Sequence, residues 1–116
     1  MKYLAVTAAA LLIGSVSPCA AAGFLSGNDL YDMCQATSSD QVRTADCLGY
    51  VTAVADVLSR QSIEGFRACI PSVGVDRGQL KDEVATWLKE HPENRQYVAS
   101  SLAAAALAQA FPCRSR

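Results

Sequence analysis

Five cysteines, one histidine and a scatter of carboxylates are the residues here that could do covalent, metal or acid–base chemistry. A nucleophilic cysteine needs a free thiolate and a base beside it. The chain offers one base, His91, directly before Pro92. A lone histidine at a helix C-terminus suits a partner for the helix dipole better than a general base. Cys34, Cys47, Cys69 and Cys113 stand 13, 22 and 44 residues apart in turn, without the tight pairs of a zinc site. No Cys-x-x-Cys, His-Glu-x-x-His, Gly-x-Ser-x-Gly or phosphate-loop motif occurs. Asp56 could act as an acid or base, but lies without an obvious partner on a polar helix face. The residues therefore predict no catalytic group, cofactor site or metal site.

The fate of the cysteines depends on the first 22 residues. Met1-Lys2 is followed by an apolar run from Leu4 to Val16, then Pro18, then Ala20-Ala21-Ala22. This is the three-part pattern of a secretory signal peptide, cleaved after about Ala22. The run is shorter than the ~20 residues a membrane span needs. Cleavage removes Cys19 and Lys2, leaving residues 23–116 with four cysteines and a net charge of −2 rather than −1. An even set of four in a small exported domain reads as two disulfides. Of the three possible pairings, Cys34–Cys47 would clip a helical hairpin and Cys69–Cys113 would tie a long loop to the C-terminal end; that pairing is preferred.

Four helical segments must position these residues. The first, Gly27 to Ala36, can be capped by Ser26 or Asn28 and turns Leu30, Met33 and Cys34 inward. Thr37-Ser38-Ser39-Asp40 is a turn. The second runs from about Asp40 to Gln61, with Cys47, Tyr50, Val51, Val54, Val57 and Leu58 in one stripe. Gly49 in its interior suits a close backbone approach. The third opens at Asp76 with an Asp-x-x-Gln capping box, and Leu80, Val84, Trp87 and Leu88 at i, i+4, i+7, i+8 make it an amphipathic helix. Pro92 ends it or opens the next helix at its first position. The fourth reaches about Phe111, and its centre, Leu102 to Ala108, is apolar on every side, as in a core helix. No segment alternates at period two for long enough to be a strand. The expectation is an all-α, disulfide-stapled bundle of about four helices in one domain, residues 23–116.

Between the second and third helices, Ser62 to Val75 has no helical period and contains Gly65, Pro71 and Gly74. Loops of this length are often functional. Glu64, Phe66 and Arg67 at its expected tip are the candidate partner-binding residues. Ten basic against eleven acidic residues leave no excess for binding nucleic acid. At 51% hydrophobic, the chain is no disordered tail.

Gly27-Asn28-Asp29-Leu30-Tyr31-Asp32-Met33-Cys34 resembles the opening motif of the Rap/Tai family of type VI secretion immunity proteins. Cys47-Leu48-Gly49-Tyr50-Val51 with Asp56, then Ala68-Cys69-Ile70-Pro71 and Gly78-Gln79-Leu80, are similar to its middle motifs. His91-Pro92-Glu93-Asn94-Arg95 and Ala110-Phe111-Pro112-Cys113 are similar to its end, so the resemblance spans nearly all of 24–113. It implies an exported helical protein, often a homodimer, located in the periplasm. Its partner would be a protein effector, a peptidoglycan amidase toxin, inhibited by an element placed in its cleft. It implies no enzymatic activity, and no membrane association after signal cleavage. The residues alone also fit a periplasmic helical stress chaperone or structural protein without a cognate toxin.

Overall fold

A computed structural model describes residues 14–15, 23–37 and 39–114 of the chain. The expected signal peptide, residues 1–22, lies almost wholly outside the described residues. The elements are α1 (Gly27–Cys34), α2 (Gln41–Leu58), α3 (Arg77–Glu90), a 3-10 turn (Pro92–Asn94) and α4 (Ala99–Ala110). Among the described residues the β pairing consists of two isolated bridges, Ser26 with Val98 and Ile63 with Phe66. The fold is an all-α bundle.

Local chemistry sets each helix start. Ser26 caps α1: its Oγ accepts from the Asp29 N–H at 3.3 Å, and its own N–H donates to the Asp29 carboxylate at 2.8 Å. Asp40 caps α2 by accepting from the Arg43 N–H at 3.2 Å. Asp76 and Gln79 form the reciprocal box at α3, with bonds of 2.9 and 2.8 Å. Each satisfies amide donors that no turn of helix can reach. Pro92 does not open α4; it begins the separate 3-10 turn, and α4 follows only at Ala99.

The α1 box has a pH consequence. The Ser26 N–H, and after it the Ser26 hydroxyl, hold the Asp29 carboxyl below its ordinary value of 3.8, against a smaller opposing effect of burial. A native pKa below the unfolded one stabilises above the unfolded value and is lost as pH falls through the native one. Asp29→Asn should therefore lower Tm at pH 6, and the gap to the parent should close towards pH 2. A gap that stays constant across this range would assign the effect to the neutral hydrogen bond alone.

All four helices contribute to one core. Leu30, Val51, Val84, Leu88 and Leu107 are fully buried, with Cys47 among them. Cys34 is bonded to Cys47, joining α1 to α2, with Cα atoms 5.0 Å apart. Two expectations for α2 change. Val57 is 38% exposed, because it lies on the flank of the stripe centred on Cys47, Val51, Val54 and Leu58, where Ala55 instead is buried. Gly49 is exposed, and a Cβ placed there would meet nothing within 4 Å. The close approach is at Gly27, where a Cβ would lie 2.8 Å from both the Cα and the carbonyl oxygen of Arg95.

Arg95 explains why the backbone comes so near. Its carbonyl accepts from the Asn28 N–H at 2.8 Å, and its Nε donates to the Leu88 carbonyl at 2.8 Å. Its guanidinium lies 3.8 Å from the centre of the Tyr31 ring. One residue thus closes the C-terminal end of α3 and fixes α1 over it.

Candidate partner-binding site

The loop after α2 carries a small hairpin. Ile63 and Phe66 exchange backbone hydrogen bonds of 3.1 and 2.9 Å across Glu64 and Gly65. Both central residues have positive φ, 48° and 84°. This is the pattern of a type I′ turn, for which Gly65 is well suited and Glu64 is not. A non-glycine residue in this region is uncommon, and such strain gathers at functional segments.

The hairpin is anchored immediately behind its tip. Ala68 is buried, and the Cys69 N–H donates to the Phe111 carbonyl at 2.8 Å. Cys69 is bonded to Cys113, with Cα atoms 4.9 Å apart. Ile63, Ile70 and Val75 pack partly against the core. Glu64, Gly65, Phe66 and Arg67 remain exposed. The result is a short, rigid projection held at both ends.

Beside it runs an open groove of about 760 Å³. Its floor is the outer stripe of α4, Ser101, Ala105 and Ala108, whose small side chains leave the hollow. Glu64 and Phe66 form one wall. Trp87 and Gln109, joined by an indole N–H bond of 2.9 Å to the amide oxygen, form another. Asn94 and Tyr97, the latter 57% exposed, close the end near the 3-10 turn. Arg67 faces elsewhere, into a hollow shared with Cys69, Cys113 and Arg114. The structure thus brings two of the three tip residues to the groove and turns the third away from it. The sequence reading missed Trp87, Tyr97 and the α4 stripe. The available signal was the i, i+4, i+7 spacing of Ser101, Ala105 and Ala108 within the apolar helix.

The two residues considered for acid–base work lie on different elements, with no hydrogen bond or ion pair between them among the described residues. Asp56 is exposed on α2. His91 stacks on Trp87 with ring centres 4.0 Å apart, and its Nδ1 lies 2.7 Å from the Trp87 carbonyl. A carbonyl can only accept, so Nδ1 carries the proton and the ring serves the end of α3. All four cysteines of the domain are in disulfides. Among the described residues no cluster of three or more His, Cys, Asp or Glu could hold a metal ion. No helix among them is long and apolar enough to cross a membrane. What the site offers is a preformed aromatic and small-residue surface with hydrogen-bonding edges, chemistry suited to holding a protein segment.

The family model described as Rap1a immunity proteins matches residues 26–113, from the α1 cap to the last disulfide cysteine. No curated protein matches the chain.

Proposed function

The chain belongs to the Rap1a immunity protein family, and from that premise we propose that it is a periplasmic, non-enzymatic inhibitor of a type VI secreted peptidoglycan amidase, acting by occlusion of the toxin's cleft. The observation that carries the reading is the anchored hairpin within a domain of immunity type. Occlusion needs an element that projects, keeps its shape and loses little freedom on binding. The projection at Ile63–Phe66 has a two-residue turn and a disulfide three residues beyond it. The two disulfides accord with an oxidising compartment. The expected leader in residues 1–22 accords with delivery there.

Glu64, Phe66 and Arg67 are the proposed contacts. Phe66, 39% exposed, is an apolar anchor of the kind that dominates interfaces, and Arg67 supplies a planar charged donor. Replacing all three by alanine should weaken binding to the cognate amidase by at least about 30-fold, or roughly 2 kcal/mol. The matching observation is lysis of cells co-expressing toxin and variant in the periplasm, with the variant's Tm unchanged. Unaltered affinity in a folded triple variant would remove the hairpin from the interface.

A further inference from the structure

The groove continues past Trp87 into a second hollow of about 220 Å³, lined by Glu83, Thr86, Glu90, Ala106 and Ala110. Trp87 and Gln109 line both. The charged residues lining the two hollows are Glu64, Glu83 and Glu90, all acidic. The basic groups nearby, Arg67 and Arg114 and on the other flank Lys89, line neighbouring hollows, so the charges that face into these two are acidic.

We propose that this double hollow receives a segment of a protein partner that sets apolar side chains over Ala105 and a basic side chain between Glu83 and Glu90. Small residues on the floor let a helix or strand come close, while Trp87 supplies a wall for the apolar side chain and for the stem of the basic one. Trp87 is already fixed by its bond to Gln109 and its stack on His91, so it loses little freedom when covered. An acidic segment would meet like charge at Glu83 and Glu90, which disfavours it against a basic one. The inference rests on the reading that this protein binds a protein effector, and it adds the chemistry of the segment that effector would present.

Trp87 is the sole tryptophan, so its fluorescence reports on this site alone. The test titrates the oxidised domain, residues 23–116, with a short amphipathic leucine–lysine peptide and with its leucine–glutamate counterpart. The leucine–lysine peptide should shift Trp87 emission saturably, at least tenfold more tightly than the other, and less so as salt rises. The surface variant E83Q/E90Q should weaken it about tenfold. Ala105→Phe, filling the floor, should abolish the shift. Equal response to both peptides, indifference to E83Q/E90Q, or a shift that survives Ala105→Phe would each overturn the proposal. So would emission that moves with protein concentration alone, which would make a second copy the occupant. No toxin enters this experiment, so its failure is separate from failure of the inhibitor reading, which the hairpin variant decides.

Discussion

Replacing Cys34 and Cys47 together by alanine should destabilise the domain by about 4–5 kcal/mol, more than the same change at Cys69 and Cys113. Loop entropy alone predicts the opposite order. A bridge across 13 residues restricts the unfolded chain by roughly 3 kcal/mol, and one across 44 residues by roughly 4 kcal/mol. Packing reverses this. Cys34 and Cys47 are 4% and 0% exposed in the core between α1 and α2, so their removal also leaves a cavity. Cys69 is exposed and Cys113 half-buried, so little packing is lost there. Domains of this size have on the order of 5–15 kcal/mol in total, so the inner bridge decides whether the fold survives at working temperature. Urea unfolding of the two double variants checks the order. A larger loss at Cys69/Cys113 would show that chain entropy, not packing, governs both.

The second large effect is a sign reversal between two glycines. Gly27→Ala should cost about 3 kcal/mol, whereas Gly49→Ala should stabilise by about 0.5–1 kcal/mol. At Gly27 the new methyl meets the backbone of Arg95 at 2.8 Å and a methyl of Leu102. The side chain can move, but the Arg95 backbone cannot do so freely. It is held by the Asn28 N–H, and the neighbouring Tyr97 carbonyl by the Gly27 N–H, each at 2.8 Å. At Gly49 there is no neighbour, and alanine simply restricts the unfolded chain in the middle of α2. Paired thermal unfolding curves suffice. Gly27→Ala as stable as the parent would mean that the contact between α1 and the 95–97 segment yields at little cost.

The candidate site was legible only in part, and its residues show why. The position of Glu64-Gly65 between two helical segments marks a projection, because turn chemistry is local. That Phe66 joins Trp87 and Ala105 while Arg67 joins Cys113 depends on how the loop is laid against α4. Adjacent residues in an extended segment point to opposite sides, so a tip read as one patch divides into two.

By itself the sequence determined that there are four helices, the caps at Asp40 and Asp76, the all-α class and the family motifs, while Ser26 rather than Asn28 as the first cap and Ala99 as the start of α4 came from the structure. The features legible in the sequence depend on residues within one turn of each other, or on the period of one helix, and need no partner to be read. Only the tertiary structure decided which glycine is irreplaceable, that Val57 faces out, and that a groove opens beside the hairpin. Each depends on residues tens of positions apart: Gly27 against Arg95, Glu64 beside Ala105. Helical periodicity says that a side chain turns inward, but not which neighbour it meets or where the small side chains of α4 leave space.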